Sequence, residues 1–115
     1  MELSLRADDD SPVTVLEVGG EVDAYSAPTL GARISEIVAS GQKQLVVDLN
    51  GVEFIDSTGL GVLVGGFNEA REAGGRLDLV CAVERVLKLL RITGLNDVFT
   101  ITSTVSEALA GIAGK

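Results

Sequence analysis

The chain has 115 residues, 46% of them hydrophobic and 23% charged, with a formal net charge of −8. That is one domain's worth of chain with enough apolar surface to fold, and at 3% aromatics its core must be aliphatic. The absence of His and the single Cys exclude, within one chain, an imidazole-dependent nucleophilic site, a clustered zinc site and a disulfide.

Cys81 therefore reads as a small core residue, and the chain as cytoplasmic. The acidic excess is uneven: residues 1–60 hold 11 acids against 3 bases, and residues 61–115 hold 6 of each. Such a surface does not neutralise phosphates, so direct nucleic acid binding is not expected. A basic protein surface is the better-matched partner. Residues 1–11 lack the apolar stretch of a signal peptide, and no run approaches the ~20 apolar residues of a membrane span, so a soluble chain is expected.

Along the chain, Leu3 and Leu5 alternate with polar neighbours and read as a strand. Asp8-Asp9-Asp10-Ser11-Pro12 reads as a turn, and residues 13–18 as a second strand ended by Gly19-Gly20. Ser26 is placed to cap a first helix with Pro28 in its first turn; Leu30, Ile34, Ile37 and Val38 share its buried face, and Gly41 stops it. Residues 45–49 are a buried strand, Asn50-Gly51 a turn, and residues 52–55 lead into a second helix. That helix buries Leu60, Leu63, Val64 and Phe67 and closes at Gly74-Gly75. Residues 77–80 form a strand. A third helix follows with Val83, Val86, Leu87 and Leu90, and ends at Gly94. Its Arg85, Lys88 and Arg91 read as an exposed face. Residues 98–101 form a last strand. Thr104-Val105-Ser106-Glu107 resembles a capping box before a final helix with Ala108, Leu109 and Ile112. Alternating strands and helices predict an α/β fold: a mixed β-sheet of four to five strands packed with about four α-helices, with an antiparallel portion from the opening hairpin.

The segment that carries chemistry is Asp56-Ser57-Thr58-Gly59-Leu60-Gly61, at the entry to the second helix. Any of Asp56, Ser57 and Thr58 is a competent cap, and Ser57 as a plain N-cap is one reading. Two features favour another. Gly59, Gly61, Gly65 and Gly66 all fall inside the helix, where each costs ~1 kcal/mol relative to Ala. Gly59 and Gly61 lie beside Ser57, where missing side chains admit a second backbone; close helix packing suits Gly65 and Gly66 better. A serine hydroxyl at a helix start is also well placed for phosphorylation, because free N–H groups and the helix dipole favour the anion. A nucleotide-cradling loop is not supported, since the Lys and the spacing of a P-loop are missing.

Three stretches together resemble the STAS domain, shared by sulfate transporters and anti-sigma factor antagonists, and within it the stand-alone bacterial anti-anti-sigma factors. They are Val18-Gly19-Gly20-Glu21-Val22-Asp23-Ala24; Val47-Asp48-Leu49 through Phe54-Ile55 to the hexapeptide just named; and Ile92-Thr93-Gly94-Leu95. The element order matches over residues 3–112, which implies a single STAS-like domain over residues 1–115. The resemblance implies that Ser57 is the phospho-acceptor of an anti-sigma factor with serine kinase activity. The unphosphorylated chain would bind that factor and free a sigma factor; phosphorylation would end binding, and a serine phosphatase would reset it. It further implies a partner-binding set of Asp23, Asp56, Ser57, Thr58, Gly59, Leu60, Gly61, Gly94 and Leu95. No catalytic residue, cofactor or metal is expected, nor enzymatic activity, and the free chain is expected to be a monomer. Asp23 has two other readings, a solvated loop acid or a cap before the first helix. A docking subunit of a membrane transport complex and a small-molecule sensor are the alternative functions.

Overall fold

A computed structural model describes residues 1–7 and 12–113. Five strands form one sheet in the order β1-β2-β3-β4-β5: β1 (Glu2–Ala7), β2 (Val13–Val22), β3 (Gln44–Ile55), β4 (Arg76–Val80) and β5 (Ile101–Thr102). β1 runs antiparallel to β2, and every other pairing is parallel. The sheet is therefore mixed, as the sequence predicts. The helices are α1 (Ala27–Ala39), α2 (Ser57–Glu72), α3 (Glu84–Ile92) and α4 (Val105–Ala113).

The side-chain alternation of each strand sorts its residues between two cores. Leu16, Val18 and Val22 of β2 and Leu45, Val47 and Leu49 of β3 meet α1, α2 and α3 through Leu30, Ile34, Leu63, Val86 and Leu90. Val13, Val15, Val46 and Val80 point the other way and are covered by Ala108 and Ile112 of α4. Residues 45–47 of β3 and 77–80 of β4 are thus buried on both faces, which is why the first run is wholly apolar and Asp78 is the one polar residue in the second. Cys81 lies in the first core at 1% exposure, where burial pushes its thiol pKa up. Arg85, Lys88 and Arg91 are exposed, and Arg91 pairs with Glu84 at 2.7 Å. Thr104 caps α4 by accepting the Glu107 N–H at 3.1 Å.

Three boundaries differ from the sequence reading. Gly19-Gly20 and Asn50-Gly51 do not end their strands; β2 and β3 run through them. The two segments face each other, with Gly19 opposite Gly51 at a shift in register. A Cβ on Gly51 would sit 3.2 Å from the Val18 carbonyl oxygen and 3.3 Å from the Gly19 Cα. The glycines therefore serve a close strand approach at an irregularity rather than a turn. Asn50 acts as a tie: its Oδ1 accepts the Ala82 N–H at 2.6 Å and its Nδ2 donates to the Ser103 carbonyl at 3.0 Å. Third, the last strand begins at Ile101, because Leu95–Asp97 closes as a 3-10 turn. That turn carries Phe99 into the core, edge-on to Phe67 with ring centres 5.3 Å apart. The turn expected over residues 8–12 lies, but for Pro12, outside the described residues.

The helical glycines divide by environment. A Cβ on Gly66 would come within 2.8 Å of Ile34 Cγ2, so Gly66 lets α1 and α2 close on each other, whereas Gly65 has nothing within 4 Å. Beyond α2, a Cβ on Gly75 would run into the Lys43 carbonyl, which accepts the Arg76 N–H at 2.7 Å. Gly65→Ala should therefore stabilise the fold by about 1 kcal/mol, raising the melting temperature by roughly 4 °C. Gly75→Ala should destabilise it by ~3 kcal/mol or more through forced backbone movement. Paired thermal and denaturant melts check this; equal effects at the two positions would refute it.

Candidate functional site

The last residues of β2 and β3 to pair are Val22 and Ile55. The next residue on each strand is an aspartate, Asp23 and Asp56, so parallel pairing sets two acids side by side at one end of the sheet. The Asp56 N–H donates to the Val22 carbonyl at 3.1 Å, which fixes where α2 begins. Asp56 has extended backbone angles and is the N-cap, its Oδ1 accepting the Gly59 N–H at 3.0 Å. A cap of this kind stabilises a helix by ~1 kcal/mol.

That assignment decides the state of Ser57. With Asp56 as the cap, Ser57 and Thr58 are the first two helical residues, both exposed. Neither hydroxyl makes a hydrogen bond to a described residue. A helix start leaves four N–H groups without intrahelical partners. Those of Asp56 and Gly59 are satisfied here. The amides of Ser57 and Thr58 remain turned to solvent, beside a free hydroxyl and at the positive end of a 16-residue helix.

Asp23 is engaged differently. Its Oδ1 accepts the N–H groups of Tyr25 and Ser26, each at 3.0 Å, and lies 3.2 Å from Ser26 Oγ. Ser26 Oγ accepts the Asp23 N–H at 3.0 Å and lies 3.0 Å from the Glu21 carbonyl. Ser26 occupies the cap position of α1 but makes no side-chain bond to the helix, so the cap expected of it is not formed. Asp23 instead closes the β2–α1 loop by accepting amides that precede the helix, so it does not cap α1. The Ser26 N–H, above all other contacts, holds the Asp23 carboxyl below its ordinary value. One oxygen binds the loop, and Oδ2 makes no hydrogen bond to a described residue.

The hexapeptide's remaining residues split between inside and outside. A Cβ on Gly59 would come within 2.8 Å of both Ile55 Cγ1 and Val22 Cγ1, so this glycine seats α2 on the ends of β2 and β3. Leu60 is buried in the core. Gly61 is exposed with nothing within 4 Å, and Gly65, one turn on, is the same. Close packing explains Gly59 and Gly66, and leaves Gly61 and Gly65 as bare backbone on the surface. Sequence spacing alone pairs them otherwise, Gly59 with Gly61 and Gly65 with Gly66.

The STAS domain family matches residues 4–108. The chain belongs to the STAS family. It is 40% identical over 88 residues to the anti-sigma-B factor antagonist of Bacillus subtilis, covering 76% of this chain and 80% of that protein. It is 32% identical over 112 residues to the anti-sigma-F factor antagonist RsfB of Mycobacterium tuberculosis, covering 97% and 91%. Among solved structures, a putative anti-sigma factor antagonist from Thermotoga maritima superposes with a TM-score of 0.89 at 28% identity, covering 96% of this chain and 94% of that one.

In this STAS chain the other two residues of the expected binding set lie on a different element. Gly94 closes α3 in the left-handed conformation, and its carbonyl accepts the Asp97 N–H at 3.2 Å. Leu95 packs against the core. No hydrogen bond ties them to the corner formed by Asp23, Asp56 and Ser57. The same end of the sheet exposes two aromatic residues to which the sequence analysis gives no role: Tyr25, 97% exposed, in the loop that Asp23 closes, and Phe54, 51% exposed, near the end of β3. Phe54 pairs across the strands with Glu21, and Glu21 and Glu53 are both exposed. The acidic excess of the first half of the chain is thus partly gathered here, around two uncovered aromatic rings. Their signal in the sequence was faint: an aromatic in a polar loop, and one breaking the inward pattern of a strand. Among the described residues, no cluster of His, Cys, Asp and Glu could hold a metal ion, and no helix is long and apolar enough to cross a membrane.

The Asp23 hydrogen bonds have a definite pH signature. Its folded pKa is lowered, so its contribution is complete above the unfolded value of about 4 and is lost as pH falls through the folded value. Asp23→Asn should therefore be less stable than the natural chain near neutral pH, and the gap should close in acid, below about pH 4. Melting temperatures of the two proteins against pH check this; a gap that persists or widens in acid contradicts it.

Proposed function

We propose that this chain is an anti-sigma factor antagonist controlled by phosphorylation of Ser57. The observation that carries the reading is the free Ser57 hydroxyl. Asp56 has taken the capping role, and Ser57 is left exposed at a helix start with unpartnered amides around it. The names of the B. subtilis and M. tuberculosis relatives support an anti-sigma factor as the partner. The unphosphorylated chain binds an anti-sigma factor that is also a serine kinase, and the sigma factor held by that protein is released.

Phosphorylation reverses this. Ser57 Oγ attacks the γ-phosphorus of ATP in the partner, the new O–P bond forms as the bond to ADP breaks, and the hydroxyl proton passes to a base of the kinase. A serine phosphatase restores the hydroxyl with water. Asp23, Asp56, Thr58 and Gly61 form the contact surface around Ser57, and Tyr25 and Phe54 extend it as aromatic anchors of the kind that dominate interfaces. Gly59 and Leu60 act from below by holding the turn. Gly94 and Leu95 form a second patch of the same interface.

The switch is local. A phosphoserine adds about −1.5 to −2 charges. The helix start favours an added anion by ~0.3–1 kcal/mol, while Asp56 and the neighbouring acids oppose it across screening solvent. In the free chain these effects nearly cancel. In the complex, a surface fitted to a hydroxyl and a bare glycine backbone must take a desolvated dianion. Poorly matched charge at an interface costs several kcal/mol, and ~4.1 kcal/mol is a thousandfold in affinity.

Incubation with the cognate kinase and ATP, followed by phosphopeptide mapping, should find the phosphate on Ser57. Ser57→Ala should abolish it and leave partner binding intact; phosphate mainly on Thr58 would overturn the assignment. Gly61 separates function from folding. With open space around it, Gly61→Ala should stabilise the free chain by up to ~1 kcal/mol, yet weaken partner binding by tenfold or more, ~1.4 kcal/mol, by keeping the two backbones apart. Calorimetric titration beside thermal melts reads both; unchanged affinity would remove Gly61 from the interface.

A further inference from the structure

β1 is the outer strand of the sheet. It pairs on one side with β2, and no described strand pairs with its other side. The backbone donors and acceptors of that side are a template for another strand. Leu5, at 42% exposure, adds uncovered apolar surface to the same margin. The side chains of β1 are sorted by face. Leu3 and Leu5 pair with Val18 and Leu16 and lie on the side of the sheet that α1 and α2 cover. Glu2, Ser4 and Arg6 lie on the opposite side.

We propose that the β1 edge is a self-association surface, at which two copies of this chain join antiparallel about a two-fold axis through Ser4. An axis perpendicular to the sheet keeps each face with its own kind, so a residue can oppose only one of the same parity. Three registers then bring the middle of the strand against itself. Centring on Ser4 opposes Glu2 to Arg6 of the second copy, Leu3 to Leu5, and Ser4 to Ser4, with the same pairs repeated beyond the axis. Both charges meet their opposites, and each exposed Leu5 is covered by a leucine. Centring on Leu3 or Leu5 leaves Glu2 and Arg6 without each other. The strand is thus self-complementary in sequence, charge and face, as a two-fold interface requires.

Arg6 is available for the exchange. Its contact with Glu17 within the chain is 3.9 Å long, with Arg6 exposed and Glu17 half-buried, a geometry that holds the Arg6 side chain only weakly. The seam is short, so the dimer is weak and concentration-dependent. It departs from the free monomer expected of the sequence. The seam runs along the outer side of β1, whereas Ser57 stands beyond the ends of β2 and β3, so Ser57 is not part of it.

Sedimentation velocity on the full chain, from about 10 µM to about 1 mM at low salt, tests the proposal. A reversible monomer–dimer equilibrium is expected. Arg6→Glu sets like charges opposite each other at both ends of the seam and should weaken association by about tenfold or more. The double variant Glu2→Arg with Arg6→Glu restores the opposition and should recover association to within about threefold of the natural chain. Ser4→Cys gives a readout that needs no charge change: the two thiols face each other across the axis and should form a covalent dimer on mild oxidation, while buried Cys81 leaves the natural chain uncrosslinked. Melting temperatures confirm that each variant is folded. A chain monomeric at every concentration, with no crosslink from Ser4→Cys, overturns the proposal. So does a dimer indifferent to Arg6→Glu, or one that the double variant fails to restore.

Discussion

The pairing of β2 with β3 up to Val22 and Ile55 is the contact from which the candidate site follows. Two strands more than twenty residues apart in sequence end at the same level, so the residue after each is an aspartate at the same corner. The Asp56 amide is bound by the Val22 carbonyl, and Gly59 sits where any side chain would strike Ile55 and Val22. α2 therefore starts in a fixed place, with Gly59 and Leu60 turned inward and Ser57 and Thr58 facing solvent. A looser join would leave Ser57 on a mobile loop rather than on a rigid helix start.

The two aspartates of this corner do different work. Asp56 spends one carboxylate oxygen on a backbone amide of α2, and that single hydrogen bond is what frees the serine after it. Asp23 spends one oxygen on its own loop, setting the backbone of Tyr25 and Ser26, and keeps the other open. In the proposed complex it would act both directly, through Oδ2, and indirectly, through the loop that presents Tyr25. Local backbone hydrogen bonds and an acidic field are built by the same groups, so neither aspartate can be changed for one property alone.

The glycines of α2 record a balance between stability and contact. Interior glycines weaken a helix, and two of the four in α2 are required by packing that would otherwise clash. Gly61 and Gly65 meet no such requirement. Their cost to the fold has no return in packing, and they leave bare backbone on the exposed side of α2, Gly61 one turn from Ser57 and Gly65 a turn further.

Much was legible in the sequence because periodicity and composition are local. The α/β class, the four helices, the aliphatic core, buried Cys81 and the hexapeptide at a helix start all rest on spacings within a dozen residues, where burial must follow the strand or helix period. Gly19-Gly20 and Asn50-Gly51 read as strand ends because glycine serves both turns and close strand approaches, and only the partner strand distinguishes them. The cap of α2 was ambiguous for a similar reason. Asp56, Ser57 and Thr58 are all competent, and the choice fell to Asp56 because its amide is anchored by Val22, a residue of another strand. The sequence by itself determined which chemical groups the chain carries near Ser57. Which of them spend their hydrogen bonds on the fold and which stand free was decided only by tertiary structure, because a donor or acceptor is committed by the neighbour that long-range pairing sets beside it.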